Sequence, residues 1–247
     1  MDGQRVYFQH VGKVKVKWHR CLPDTAIINT VSFKREPDGW HVIFSCELPE
    51  VEIITTLSAA VGIDLGLKSF LATSNGESID PPRFYRQAQD KLRRAQRAVA
   101  RKKKGSNRRR KAVQHLAKLH QHIKNQRKDF HHKLTLSLVR QYGTIAHENL
   151  NIKGIARTSL AKSTHDVGWA QFLAILSYKA AEAGTSVIAI PANNTTQACS
   201  VCGALPVTPL TLKDRVYSCA HCHQVSDRDL NAARNVLRLG LSLQTLT

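Results

Sequence analysis

At 247 residues with 42% hydrophobic content, the chain can bury one sizeable core with a small satellite domain, which excludes a disordered tail. Its 37 Lys and Arg against 18 Asp and Glu give a formal net charge of +19 and a pI near 10.1, so a polyanion is the expected partner. No apolar run approaches the roughly 18 residues needed to span a bilayer and Met1–His10 lacks an apolar signal core, so nucleic acid outranks a membrane and a cytoplasmic protein is expected.

Met1–Glu52 reads as β-structure. Gly12–Lys17 alternates Val with Lys, Ile28–Lys34 continues the alternation, and Pro37-Asp38-Gly39 supplies a turn before Trp40–Leu48. A small barrel-like β domain is expected, with Lys13, Lys15 and Lys17 on a face that fits either phosphate or solvent. The pattern loosens over Glu52–Ala60. Val61–Asp64 then begins an apolar strand that turns at Leu65-Gly66 and returns through Ser69–Thr73, with a further hairpin turn at Asn75-Gly76.

From Arg83 to Lys133 the composition changes abruptly: roughly half of all Lys and Arg gather there, against only Asp90 and Asp129. Val113, Leu116, Leu119, Ile123, Phe130, Leu134 and Leu138 recur at helical spacings and form one narrow apolar stripe. The expectation is a basic helical hairpin, Arg83–Lys104 and Asn107–Gln141, broken at Gly105-Ser106. So little compensating acid favours phosphate contact over a merely solvated face, with Lys102, Lys103, Arg108, Arg109 and Arg110 as the candidates.

Gly143–Leu150 reads as a strand, Asp166–Gly184 as a helix and Ser186–Ile190 as a short strand ending at Pro191. Asp229–Leu239 closes the chain as a helix with Leu230, Ala233, Val236 and Leu237 on its buried side. Strands alternating with helices predict an α/β core.

Four of the six cysteines stand as Cys199-x-x-Cys202 and Cys219-x-x-Cys222, separated by sixteen residues. Four thiolates at this spacing can close a tetrahedron around one structural Zn²⁺, with Gly203 permitting the tight turn. Such a shell is full, so this metal would hold shape and leave the chemistry to other groups. His221 and His223 are alternative ligands nearby, and the solitary Cys21 and Cys46 read as ordinary packed residues.

Candidate catalytic groups are carboxylates. Asp64 ends the apolar strand in Gly62-Ile63-Asp64-Leu65-Gly66, Glu148 sits alike in Ile145-Ala146-His147-Glu148-Asn149-Leu150, and Asp229 opens the last helix in Asp227-Arg228-Asp229-Leu230-Asn231-Ala232-Ala233. An acid between apolar neighbours is costly to bury without a cation, which points to a divalent metal. Taken singly, each also reads as a turn or cap residue, and Asp227 competes with Asp229 for the third place.

These motifs, in this order and with Asn194-Thr195-Thr196-Gln197 before the first knuckle, resemble those of TnpB proteins of bacterial insertion sequences, which are similar to type V CRISPR effector nucleases. The resemblance implies an RNase H-like (RuvC) α/β core with a basic helical hairpin insertion, a small N-terminal β-barrel-like wedge portion and a zinc ribbon. The implied division is a partial wedge at 1–56, the core at 57–190 with the hairpin at 83–141, the ribbon at 191–225 and the final helix at 226–247. It implies an RNA-guided DNA endonuclease with guide RNA and target DNA as partners, bacterial and nucleoid-associated when bound to DNA. Asp64, Glu148 and Asp229 would hold two Mg²⁺ ions, one activating water and the other stabilising the leaving oxygen. Family members usually carry a longer N-terminal region with a helical recognition segment, so the chain is expected to be a shortened form. The alternative is a nuclease-silent relative that binds RNA or DNA as a regulator.

Overall fold

The computed structural model describes residues 5–19, 21–49, 57–211 and 213–244. The chain opens with two antiparallel hairpins. The first pairs β1 (Arg5–Phe8) with β2 (Gly12–Lys15), and the second pairs β3 (Ile27–Glu36) with β4 (Gly39–Glu47) across the Asp38-Gly39 turn. Among the described residues they form two separate two-stranded sheets, with no ladder joining them into a barrel. The loosened stretch lies partly outside the described residues, at 52–56. Cys21, expected to be packed, is exposed on the loop before β3, and Cys46 is half-buried on β4, one face of which is only partly covered.

The core is a five-stranded mixed sheet of order β7-β6-β5-β8-β9. It comprises β5 (Ala60–Asp64), β6 (Leu71–Thr73), β7 (Ser78–Ile79), β8 (Thr144–Glu148) and β9 (Ser186–Ile190). The β5-β6-β7 meander is antiparallel, as the Asn75-Gly76 turn predicts, and Gly76 there takes φ 92°. The β5-β8 and β8-β9 pairs are parallel and therefore need helical crossovers.

The first crossover is the basic hairpin, α1 (Phe84–Ala100) and α2 (Asn107–Gln141). Ser106 starts α2 by accepting the Arg109 amide at 3.2 Å. Only the C-terminal part of the apolar stripe is well covered: Ile123, Leu134 and Leu138 are buried while Val113 is exposed, since the helix Trp169–Ala183 packs on α2 beside the sheet and the hairpin tip stands away from it.

The second crossover differs from expectation. A short α3 (Ile152–Ile155) precedes α4 (Ala161–Val167) and α5 (Trp169–Ala183), and Gly168 at φ 67°, ψ 44° breaks the single helix predicted across Asp166–Gly184. A left-handed residue cannot continue an α-helix, and glycine takes that conformation without penalty. The ribbon adds β10 (Val216–Ser218) and β11 (Val225–Asp227), and α6 (Arg228–Gln244) closes the described chain.

Strand alternation sorts the sheet into two faces. Val61, Ile63 and Ile145 pack with Phe172, Leu176, Leu134 and Leu138 on the α2/α5 side. Ala146 and Ile190 pack with Val236 of α6 on the other side. The helix lies directly on the strands there: a Cβ added to Gly62 would stand 2.2 Å from the Ala233 carbonyl oxygen, and one added to Gly240 would stand 2.5 Å from the Ala146 Cβ. Among the described residues no helix is long and apolar enough to cross a membrane.

Candidate functional site

Asp64 and Glu148 are the last residues of neighbouring parallel strands, and Ile63 pairs with His147 in the register just before them. Asp64 shares the parity of Gly62, and Glu148 that of Ala146, so both acids point to the face covered by α6. They are 9% and 7% exposed, respectively. Asp229 stands in the first turn of α6, one turn before the Ala233 that touches Gly62.

The electrostatics tie the three together. Burial, then the neighbouring Glu148 and Asp229 charges and last the Asp227 charge, push the Asp64 carboxyl up to about 7, with Arg228 as a partial counterweight. This crowding of anions leaves an unmet demand for positive charge, and the all-oxygen donor set suits a hard divalent cation such as Mg²⁺. The acids are grouped more loosely than the cysteines: among the described residues, only the four sulfurs have all ligand atoms within 4.8 Å of one another.

The neighbouring acid Asp227 does a different job. Its carboxylate accepts the amides of Asp229 and Leu230 at 2.8 and 3.2 Å, which caps α6. The Asp229 side chain is thereby spared that role. Glu148 is held by the buried Thr195 of the Asn194–Gln197 motif, to which the sequence assigned no role and whose hydroxyl donates to Glu148 Oε1.

Thr195 belongs to the segment leading into the first knuckle, and two buried asparagines of α6 hold that segment. Asn235 Nδ2 donates to the carbonyls of Thr195 at 2.9 Å and Ala198 at 2.7 Å. Asn231 Nδ2 donates to Ala198 O at 2.8 Å, and its Oδ1 accepts the Ser200 amide at 2.9 Å. Beside the face predicted to bury Leu230 and Leu237, α6 thus buries two amides more deeply than either leucine. The available signal was the pair of asparagines one turn apart in α6.

The cysteine ribbon is nearly two-fold symmetric in its backbone. Gly203 N–H donates to Cys199 O at 2.9 Å, and His223 N–H to Cys219 O at 3.0 Å. Cys199 N–H donates to Ala204 O and Cys219 N–H to Gln224 O, both at 2.9 Å. Each knuckle is followed by a left-handed residue, Gly203 at φ 76° and His223 at φ 59°. His223 therefore occupies the turn position and His221 is exposed, while the ligand group is Cys199, Cys202, Cys219 and Cys222. The Cys199–Cys222 and Cys202–Cys219 sulfurs are 3.6 Å apart. Tetrahedral zinc with Zn–S bonds of about 2.3 Å needs sulfurs about 3.8 Å apart, so the four fit one structural zinc.

The basic candidates lie at the hairpin tip, roughly 25 Å along α1 from its start at 1.5 Å per residue. Lys103 and Arg108 are exposed there and Lys102 is half-buried. Arg110 bonds Asn107, and Arg109 Nη1 donates to the carbonyls of Val99 and Lys102 at 3.0 and 3.2 Å, which ties off the end of α1.

The OrfB_IS605 family, described as "Probable transposase", matches residues 44–159, and the Cas12f1-like TNB domain matches residues 169–236. The chain is 36% identical over 244 residues, 98% of its length, to a Streptomyces pristinaespiralis protein named "Putative RNA-guided DNA endonuclease". It is 26% identical over 255 residues, 97% of its length, to the similarly named InsQ of Escherichia coli K12. It spans 60% and 63% of those two relatives. Among solved structures, the fold is similar to that of a Cas12f1–sgRNA–target DNA complex, with TM-score 0.53, 21% identity, and 84% of this chain and 55% of that one covered. A CRISPR–Cas12f ternary complex gives TM-score 0.57 at 21% identity, with 84% and 44% covered.

Proposed function

The chain belongs to the TnpB family, and on that footing we propose that it acts as an RNA-guided DNA endonuclease through an RNase H-like (RuvC) site formed by Asp64, Glu148 and Asp229. The observation that carries this reading is the common face: two acids end adjacent parallel strands under α6, and the charge of a third, from α6, is felt at Asp64. The names of the relatives and the nucleic-acid complexes among the fold neighbours support guide RNA and target DNA as partners.

The reaction is hydrolysis of a phosphodiester, in which water attacks phosphorus and one phosphorus–oxygen bond breaks. Two magnesium ions, held by Asp64, Glu148 and Asp229, would supply activation of the water and stabilisation of the departing oxygen. The chain's own residues prepare for this. Thr195 fixes the Glu148 carboxylate, Asp227 takes the capping duty that would otherwise occupy Asp229, and the packing of Gly62 on Ala233 sets the height of α6 over β5. The zinc ribbon serves as a splint: through Asn231 and Asn235 it keeps Thr195 against Glu148. The basic hairpin supplies positive potential along a bound strand, with Lys102, Lys103 and Arg108 as the phosphate-facing groups and Arg109 engaged in holding the hairpin shut.

The test is incubation of the full chain and its co-purifying RNA with labelled single- and double-stranded DNA, with and without magnesium, for wild type and Asp64→Ala. The expected result is magnesium-dependent cutting by wild type that Asp64→Ala abolishes while still binding. Binding by both proteins with cutting by neither would turn the reading to a nuclease-silent nucleic-acid-binding protein.

A further inference from the structure

Two adjoining hollows open where the β5–β6 connection, the lead-in to α1 and α4 meet. The larger, about 630 Å³, is lined by Lys68, Asp80, Arg83 and Arg86. The smaller, about 240 Å³, shares Arg83 and Arg86 and adds Ser163. Among the described residues none of these three cations forms an ion pair within 4.0 Å. The nearest acid of α4, Asp166, is already committed: it accepts the amides of Tyr85 and Arg86 at 2.9 and 3.3 Å and stands 4.0 Å from Arg127. The Arg86 guanidinium is steered across the hollow by a 2.6 Å bond to Ser163 Oγ.

Arg83 is the anomaly. It sits at φ 52°, ψ 40° before α1 with no side-chain capping bond. Glycine would take this backbone conformation freely, and the first-turn amides of α1 are already accepted by Asp166, so nothing in the helix start calls for arginine. Local structure therefore argues against arginine here, and a strained residue kept against its backbone preference is explained by what its side chain meets. A recess of this size is on the scale of a nucleotide or two.

We propose that this cleft grips the phosphates of a single nucleic-acid strand, with Lys68, Arg83 and Arg86 as the contacting groups. The inference rests on the nucleic-acid reading above and is separate from the hairpin tip.

The experiment measures binding of a short labelled single-stranded oligonucleotide by fluorescence anisotropy over a salt series, in magnesium-free buffer with the zinc left in place. Wild type is compared with Arg83→Gly and with the Lys68→Gln/Arg83→Gly double variant. Each lost phosphate contact should flatten the log–log salt slope by about 0.7, so the double variant should lose about 1.4 and roughly tenfold in affinity. Arg83→Gly alone should melt at a higher temperature than wild type while binding more weakly, a pairing that damage to the fold cannot produce. A folded double variant with unchanged slope and affinity would overturn the cleft, as would competition by inorganic phosphate as effective as by the strand. A wild type that binds no strand would instead overturn the nucleic-acid reading itself.

Discussion

The Thr195 hydroxyl donates to the Glu148 carboxylate, and the Thr195 carbonyl is in turn held by Asn235 Nδ2 at 2.9 Å. One residue thus links the end of β8, through its side chain, to α6, through its backbone, on the segment leading into the first zinc knuckle. Groups that orient metal-binding carboxylates typically contribute 10–100-fold in metal affinity. Thr195→Val keeps the shape and removes the donor, so the magnesium concentration for half-maximal cutting should rise about tenfold or more. Thr195→Ser should restore it.

The two asparagines of α6 share an acceptor, Ala198 O, and only Asn235 also serves Thr195 O. Each substitution by alanine should cost about 1–3 kcal/mol in urea unfolding, since it strips a buried carbonyl or amide of a partner. In Asn231→Ala/Asn235→Ala the Ala198 carbonyl loses both donors. The double-mutant cycle should therefore show a coupling of at least about 0.5 kcal/mol, with the pair costing more than the sum.

Asp64 yields a pH prediction. Its folded-state pKa, pushed up to about 7, lies above that of an unfolded aspartate near 3.9, so between those values the folded chain holds a proton that the unfolded chain has lost. The contribution is fully favourable below about pH 4 and is lost as pH rises to about 7. Asp64→Asn removes that loss. In magnesium-free urea titrations the variant should gain stability over wild type as pH rises from about 4 to 7, by up to about 4 kcal/mol, and hold a constant gap above.

Gly62→Ala would drive a Cβ to 2.2 Å from the Ala233 carbonyl oxygen, a contact with backbone that no rotamer change relieves. The helix must lift from β5, at a cost of about 1–3 kcal/mol or more. Cutting should fall further than the melting temperature alone predicts, because Asp229 rides on the same helix.

Legibility in the sequence followed the kind of force involved. The hairpin was readable because Ser106 caps α2 after Gly105 and the apolar stripe persists through Leu138. The sheet strands β5, β8 and β9 were readable as apolar runs bounded by turns, and the ribbon by cysteine spacing. The positions of Asp64 and Glu148 at strand ends were also legible. Their common face depends on register, which a single sequence leaves open. Gly168 was missed because an isolated glycine is often tolerated within a helical pattern. Asn231 and Asn235 were missed because their partners are backbone carbonyls some 33–40 residues away, invisible to hydrophobic periodicity. The strain at Arg83 is a backbone property with no sequence signature.

The central claim is that Asp64, Glu148 and Asp229 form one divalent-metal site. Anomalous diffraction from crystals of the chain grown with Mn²⁺ tests it most directly. The account predicts two manganese peaks under the N-terminus of α6, with all three carboxylates among their ligands. Manganese absent from that face at saturating concentration, or bound by one of the three acids with the others turned away, would contradict it.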